Sequence, residues 1–297
     1  MPLTPPILEV ADLTVRYGDR VALTDVAFAV RPGERMAVVG PNGGGKSTLL
    51  KAITGLIDVT AGRITLGDGL AGPDGCIAYV PQRADLDWSF PVTVGDVVLM
   101  GRAHRVGWLR RPGNEDRAAV ARALDAVGIA DLATRRIRGL SGGQQQRMLI
   151  ARALAQEARL VLMDEPFNNL DAASAGTIMS VLEDLSADGV AVIIAMHDLA
   201  LAEARFDTAV LLSRRMVACG VPRDVLTEDH LQAAYGAALR IVEGPDGHRI
   251  LSDPGCHDDG HVMVTAPAGA RRVATGIAAP ALGVGPVANG ESRGRRP

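Results

Sequence analysis

Residues 40–48 have the types and spacing of a loop that binds phosphate. They read Gly40-Pro41-Asn42-Gly43-Gly44-Gly45-Lys46-Ser47-Thr48, and all of them are predicted nucleotide contacts. Glycine lets backbone N–H groups turn toward phosphate oxygens without a Cβ in the way, and a following helix adds its positive dipole end. Lys46 is predicted to bridge the β- and γ-phosphates, and Ser47 to bind Mg²⁺ through its hydroxyl. The alternative is a simple glycine-rich turn, but an apolar strand before the loop and a helix after it favour the phosphate site.

Two adjacent carboxylates end a second apolar run. Residues 160–163 are all apolar, and Asp164 and Glu165 follow them directly. At the end of a buried strand, Asp164 can hold Mg²⁺ directly or through water, and Glu165 can polarise a water for attack on a γ-phosphate. An apolar strand that ends in Asp-Glu is common by itself. Its position about 120 residues after a phosphate loop makes this one much more specific.

A third motif opens a helical pattern that runs to Ala155. It reads Leu140-Ser141-Gly142-Gly143-Gln144, with Ser141 in the N-cap position. Capping alone explains the serine, but two glycines in the first turn lower the stability of a helix. They suggest that another group approaches closely, and a phosphate is the natural candidate at a helix N-terminus. The predicted nucleotide contacts here are Ser141, Gly142, Gly143 and Gln144.

The loop, the Leu-Ser-Gly-Gly-Gln segment and the Asp-Glu strand end, in this order, resemble the ABC ATPase family. The resemblance covers roughly residues 7–240. It implies ATP and Mg²⁺ as cofactors, and a homodimer in which two subunits sandwich two ATP molecules head to tail. Each ATP would lie between the phosphate loop of one subunit and Ser141 and Gly143 of the other.

The resemblance also assigns roles to residues outside these motifs. Tyr17 matches an aromatic residue that stacks on adenine, and Gln82 matches a glutamine that reaches Mg²⁺ and the attacking water. His197 matches a switch histidine that contacts the γ-phosphate and holds Glu165 in place. The implied catalytic residues are Glu165, His197, Gln82 and Lys46. The implied Mg²⁺ contacts are Ser47, Gln82 and Asp164.

Asp171 closes a segment that matches the family's dimer-crossing loop, and it is a further predicted nucleotide contact. The family often has Ser-Ala-Leu-Asp at this point, whereas this chain has Asn168-Asn169-Leu170-Asp171. Because the aspartate is retained, the departure concerns only the details of contacts across the dimer.

Strands that alternate with helices must position these residues. Strands are predicted at 8–17, 26–30, 35–39, 77–80, 160–163 and 191–195, and helices at 46–53, 94–102, 115–127, 142–155, 172–186 and 199–205. The alternation predicts an α/β fold with a mostly parallel sheet. The family resemblance makes this a P-loop NTPase core with an N-terminal antiparallel β subdomain and an inserted α-helical subdomain at about 83–155. The ATPase domain would span 1–240, and the extension 241–297 is predicted to be largely disordered.

Composition narrows the function classes. The chain has 297 residues with 47% apolar residues, so a sizeable core can be buried. A net charge of −3 gives no electrostatic case for nucleic acid as a partner. The three scattered cysteines indicate no disulfide framework and fit a reducing cytoplasm. No run reaches the roughly 18 apolar residues of a membrane helix, so a membrane role requires a partner.

Within the family, this chain resembles a stand-alone transport subunit. The interval between Gln82 and Leu140 is too short for the long coiled coil of chromosome and repair ATPases. The resemblance implies a peripheral protein on the cytoplasmic face of the cell membrane, an integral membrane permease dimer as partner, and indirect action with an extracytoplasmic solute-binding protein. The alternative from another class is a soluble regulatory ATPase without a permease.

The stretch 79–102 bears on the transported solute. It resembles the ATPases of bacterial importers for manganese, zinc or ferrous ions, with siderophore and cobalamin importers as the nearest rivals. Trp88 and Phe90 are predicted to border the groove that accepts the permease, with ordinary packing as the alternative. In the extension, six residues either respond to a metal ion or form part of a solvated polar tail, and both interpretations stay open. These residues are His248, Cys256, His257, Asp258, Asp259 and His261.

Overall fold

A nine-stranded sheet carries the candidate site along one edge. The computed structural model describes residues 4–67, 77–82, 88–107, 110–168, 170–236, 240–243, 249–252 and 263–265. In chain order, the strands of this sheet are β1 (Leu8–Tyr17), β2 (Arg20–Val30), β3 (Arg35–Val39), β4 (Ala61–Leu66), β5 (Ile77–Val80), β6 (Leu160–Asp164), β7 (Ala191–Ala195), β8 (Thr208–Ser213) and β9 (Arg215–Gly220). Across the sheet they lie in the order β4-β1-β2-β9-β8-β3-β7-β6-β5.

Helices connect several of these strands, including β5 to β6, β6 to β7 and β7 to β8. They are α1 (Lys46–Ile53), α2 (Val94–Met100), α3 (Ala103–Val106), α4 (Asn114–Ala126), α5 (Gly142–Ala155), α6 (Ala172–Ala187), α7 (Leu199–Arg205), α8 (Pro222–Val225) and α9 (Glu228–Tyr235). Two single 3₁₀ turns, Ala130–Leu132 and Ile137–Gly139, lie between α4 and α5.

The strand directions confirm the predicted fold class. The strands β5, β6, β7, β3 and β8 pair in parallel, as expected where helices connect successive strands. The N-terminal strands β1, β2 and β4 pair antiparallel instead. The chain therefore has a P-loop NTPase core with a mostly parallel sheet, an antiparallel β region at its N-terminus and helices inserted between β5 and β6.

Alternate residues of the central strands point into two apolar cores. In β3, Met36 and Val38 lie in the core shared with α1, β1 and β2, whereas Ala37 and Val39 lie in the core shared with α5 and α6. All of these side chains are buried. A strand covered on both faces needs an apolar residue at every position, which explains why the short apolar runs of the sequence predicted these strands.

Some elements lack a sequence signal of this kind. No prediction covered β4, β8, β9, α8 or α9. The edge strand β4 is largely exposed and has no regular apolar alternation, and its pairing with β1 holds it in the sheet. The strand β2 begins at Arg20 rather than at Val26, because residue Val21 pairs with Arg16 in a hairpin. In both cases a partner strand compensates for a weak local pattern.

Part of the C-terminal extension forms a separate three-stranded antiparallel sheet. Its strands are β10 (Arg240–Glu243), β11 (Arg249–Ser252) and β12 (Met263–Thr265). The sequence pattern indicated none of them. The candidate metal ligands of the extension lie outside the described residues: His248, Cys256, His257, Asp258, Asp259 and His261.

No helix in the described part of the chain is long and apolar enough to cross a membrane.

A buried arginine joins the inserted helices to the end of α5. The side chain of Arg102 is only 1% exposed. Its guanidinium donates to Asp116 Oδ1 at 3.1 Å, to the Ala155 carbonyl at 3.0 Å and to Glu157 Oε2 at 2.7 Å. Burial alone would lower the pKa of Arg102, but the two carboxylates outweigh this and raise it. The same contacts hold the pKa of Glu157 below its ordinary value, although burial opposes them.

Replacement of Arg102 by methionine is expected to destabilise the fold by about 2 kcal/mol, because the Ala155 carbonyl and two carboxylates lose a charged donor. The matched control is Arg122→Met, since Arg122 also contacts Glu157, at 3.2 Å, but is 64% exposed. The control is expected to change stability by less than about 0.5 kcal/mol. The free energy of unfolding from urea titration measures both, and equal losses would contradict the structural role of Arg102.

Candidate active site

Four parallel strands deliver the candidate residues to one edge of the sheet. The phosphate loop follows β3, Gln82 follows β5, Asp164 and Glu165 end β6, and His197 follows β7. Since β3, β7, β6 and β5 are neighbours in the sheet and run in the same direction, their carboxyl ends meet. Ligands of open α/β sheets bind at this edge.

The phosphate loop lies tightly against the end of β8 and the turn that follows it. A Cβ on Gly40 would lie 1.9 Å from the carbonyl oxygen of Leu212, and φ at Gly40 is 149°. A Cβ on Gly45, where φ is 100°, would lie 2.3 Å from Leu23 Cδ2. The N–H of Arg214 donates to the Gly44 carbonyl at 2.7 Å and ties the turn to the loop. Glycine is therefore required at both ends of the loop by close contacts as well as by φ.

Lys46 begins α1 and is buried inside the loop that precedes it. Its ammonium donates to the Gly40 carbonyl at 2.8 Å and to the Pro41 carbonyl at 3.2 Å. These carbonyl groups hold the cation at the positive end of a helix dipole, where a bound anion is favoured. The loop can therefore accept the phosphates of a nucleotide with a lysine already in place.

Asp164 is the buried carboxylate of the site. It is 1% exposed, and one of its oxygens, Oδ1, is enclosed and has no hydrogen-bond partner. Burial raises the pKa of Asp164, and a hydrogen bond from Ser47 and the positive charge of Lys46 oppose that rise. A buried acceptor without a partner is unfavourable, and a divalent cation would supply one. The oxygens of Asp164 and Ser47 are the hard ligands that Mg²⁺ prefers, so these residues fit the ion.

Glu165 is the best-anchored side chain of the site. Its Oε1 is hydrogen-bonded to His197 Nε2, and its Oε2 accepts from Gln82 Nε2 at 3.0 Å and from Asn168 Nδ2 at 2.8 Å. Its backbone has φ of 52°, unusual for a residue other than glycine, and its N–H donates to the Ala195 carbonyl at 2.9 Å.

Electrostatics keep the Glu165 carboxylate ionised. Burial acts to raise the pKa of Glu165, but the hydrogen bond and electrostatic interaction with His197, together with the charge of Lys46, lower it below the ordinary value. An ionised carboxylate at this edge can accept a proton from a water molecule or hold that water in line with a phosphate.

Ser141 caps α5 and lies on a different element from this cluster. Its hydroxyl accepts from the Gln144 N–H at 3.4 Å, and the Gln144 side chain accepts from the Ser141 N–H at 3.0 Å. This capping box defines the helix start, and Ser141 itself is exposed. The positive end of the α5 dipole therefore faces outward and can accept an anion from outside the subunit.

Two further predicted nucleotide contacts, Tyr17 and Asp171, lie at the ends of other elements. Tyr17 ends β1 and is 51% exposed, as a stacking surface requires. Asp171 caps α6 by accepting the Ser174 N–H at 2.9 Å. Asn169 lies outside the described residues.

Two contributors to the site were not identified from the sequence. Asn168 was noted only as a departure within the dimer-crossing loop, whereas its amide contacts Glu165 directly. The end of β8, where Leu212 packs on Gly40, gave no signal because it is far from the loop in sequence. The described residues contain no group of three or more His, Cys, Asp or Glu side chains arranged to hold a metal ion.

Comparison with known proteins agrees with this geometry. The family model described as "ABC transporter" matches residues 23–168. The zinc transport system ATP-binding protein TroB of Treponema pallidum (strain Nichols) is 42% identical over 82% of this chain and 91% of its own length. The manganese transport system ATP-binding protein MntB of Bacillus subtilis (strain 168) is 42% identical over 82% of this chain and 98% of its own length.

A solved structure extends the likeness to three dimensions. A metal-chelate-type ABC transporter in an inward-facing conformation superposes with a TM-score of 0.70 and 29% identity, over 88% of this chain and 98% of the other. The likeness to the curated relatives spans most of both chains, and the fold agrees with it. The chain belongs to the ATP-binding subunits of the ABC transporter family, which bind and hydrolyse ATP.

Proposed function

We propose that this ATPase powers the import of divalent metal ions, such as Mn²⁺, Zn²⁺ or Fe²⁺, through a separate membrane permease. The observation that carries this proposal is the identity of 42% over nearly the whole length of relatives named for zinc and manganese transport. The metal ion is the cargo of the permease and never contacts the ATPase. The residues of the ATP site therefore do not identify the transported ion.

At the site, the residues divide the tasks of ATP hydrolysis among them. Lys46 and the N–H groups of the loop hold the β- and γ-phosphates, and Ser47, Asp164 and Gln82 hold Mg²⁺. The ion neutralises phosphate charge when it is bound. Glu165 orients and deprotonates the water that attacks the γ-phosphate, and His197 holds both Glu165 and a phosphate oxygen. The contacts of Glu165 with His197 and Gln82 support this assignment of roles.

The working unit is a homodimer with two shared ATP sites. The exposed, capped start of α5 offers a helix dipole but no lysine or carboxylate for catalysis. The phosphate loop offers the lysine and the end of β6 offers the carboxylates, and a second copy can cover the γ-phosphate. In the dimer, Ser141 and Gly143 contact ATP held by the twin, and the loop that ends at Asp171 crosses between the subunits.

The permease binds on the inserted helices, at the cytoplasmic face of the membrane. Phe90 is 58% exposed and Met100 is 50% exposed. Met100 and its neighbours Leu99, Ala103 and Val106 line an open groove along α2 and α3. An exposed apolar surface of this kind favours protein contact. Trp88, in contrast, packs partly buried against the core, so ordinary packing accounts for that residue.

Substitution of Glu165 by glutamine is expected to lower ATP hydrolysis by about 10²–10⁴-fold, because the base is removed. ATP binding should persist, since Lys46 and the loop are unchanged, so the variant should accumulate as a dimer with Mg·ATP. Analytical ultracentrifugation with and without ATP measures this directly. The double variant Lys46→Ala/Glu165→Gln is the control and should stay monomeric. A Glu165→Gln protein that remains monomeric at saturating Mg·ATP would contradict the shared site.

Uptake by intact cells tests the cargo. Cells that lack the gene should lose accumulation of at least one of labelled Mn²⁺, Zn²⁺ and Fe²⁺, and wild-type protein should restore it while Glu165→Gln should not. Labelled ferric siderophore and cobalamin are measured in parallel. If only the uptake of those compounds is lost, the chain would belong to the siderophore and cobalamin importers. Unchanged uptake of every solute would favour a regulatory ATPase without a permease.

A further inference from the structure

Two side-chain amides share one oxygen of the Glu165 carboxylate. Gln82 Nε2 donates to Oε2 at 3.0 Å, and Asn168 Nδ2 donates to the same atom at 2.8 Å. His197 occupies Oε1. The roles of His197 and Gln82 belong to the proposed mechanism above, whereas the contact of Asn168 has no role there.

The two amides are anchored differently. Gln82 follows β5 at the start of the connection to the inserted helices. Asn168 lies three residues after Glu165 in the same turn, and its own N–H donates to the Glu165 carbonyl at 3.3 Å. Any displacement of the β6 end therefore carries Asn168 and Glu165 together. Gln82 is also a proposed Mg²⁺ ligand, so its amide has to contact the ion as well as Glu165. No such second contact is proposed for Asn168.

Asn168 is the first residue of the loop proposed to cross the dimer. The Leu170 N–H donates to the Phe167 carbonyl at 3.3 Å, and Asp171 then caps α6. Asn168 thus stands between the carboxylate at the end of β6 and the start of α6. A shift of this loop on contact with a second copy would be transmitted to Glu165 Oε2 through the Asn168 amide.

We propose that Asn168 is a positioning residue for hydrolysis, which holds Glu165 Oε2 in the orientation needed for attack and links that orientation to the loop ending at Asp171. The inference rests on the proposed role of Glu165 as the base. The side chain contributes a donor and no charge. Asparagine stands where the family often has serine, and its longer side chain ends in an amide that donates to Glu165 Oε2.

The test is the steady-state hydrolysis of ATP by Asn168→Leu, which keeps the approximate shape and removes the donor. Loss of a hydrogen bond to a charged group lowers a rate or binding constant by about 10–100-fold, so kcat should fall by that factor. KM for ATP should stay within about twofold, because Asn168 has no contact with the phosphate loop in this scheme. The matched control is Thr177→Val, which removes an exposed hydroxyl bonded to the Ala173 carbonyl at 3.1 Å and should leave kcat unchanged.

A second measurement separates positioning from folding and from dimer contact. Asn168→Leu in a Glu165→Gln background should leave the ATP-dependent dimer and the affinity for ATP unchanged, since the carboxylate it positions is already gone. If Asn168→Leu does not fold, Asn168→Asp keeps the shape and should lower kcat at least as much, because it places a second carboxylate against Glu165.

The outcomes distinguish this inference from the proposed function. Wild-type kcat in Asn168→Leu, or a raised KM with kcat unchanged, would overturn the role of Asn168 while leaving the role of Glu165 intact. Loss of the ATP-dependent dimer in the double variant would also overturn it, because Asn168 would then act on dimer contact. Wild-type hydrolysis by Glu165→Gln would instead refute the base itself.

Discussion

The parallel pairing of β6 with β5 and β7 is the constraint on which the site depends. It places Asp164 and Glu165 between Gln82 on one side and His197 on the other, at the edge where the phosphate loop of β3 also ends. The cores on both faces of the sheet fix the strand ends, because nearly every side chain of these strands is buried. A buried carboxylate with an unpartnered oxygen persists at this position only because the rest of the fold holds it there.

Charge balance supports the proposal that the site binds a nucleotide together with a metal ion. Lys46 is enclosed by backbone carbonyl groups, and Asp164 keeps one oxygen without a partner. Phosphates satisfy the first group and a divalent cation satisfies the second, so each ligand favours the binding of the other. Glu165 needs no such ligand, since three side chains already stabilise its ionised form. In the proposed dimer, the exposed helix start at Ser141 of a second subunit completes this arrangement.

The sequence predicted the fold wherever the local pattern and the tertiary environment agree. The helix Lys46–Ile53 and the strand Ala191–Ala195 have the predicted bounds because each carries its own apolar signal. The edge strand β4 was missed because pairing with β1 holds it in place. Roles for Gln82 and His197 came from family resemblance, since a single glutamine or histidine carries no distinctive pattern. The Asn168–Glu165 contact and the packing of Leu212 on Gly40 depend on turn geometry and on contacts between distant segments, which no periodicity encodes.

The central claim is that one ATP is held by the phosphate loop of one copy and the α5 start of its twin. A mixture of two inactive variants, Lys46→Ala and Ser141→Arg, tests it most directly. In the mixed dimer, one site combines the intact loop of one chain with the intact helix start of the other. Random pairing of equal amounts should therefore restore about a quarter of the wild-type hydrolysis rate, although neither variant is active alone. No recovery, with mixed dimers shown to form, would contradict the shared site.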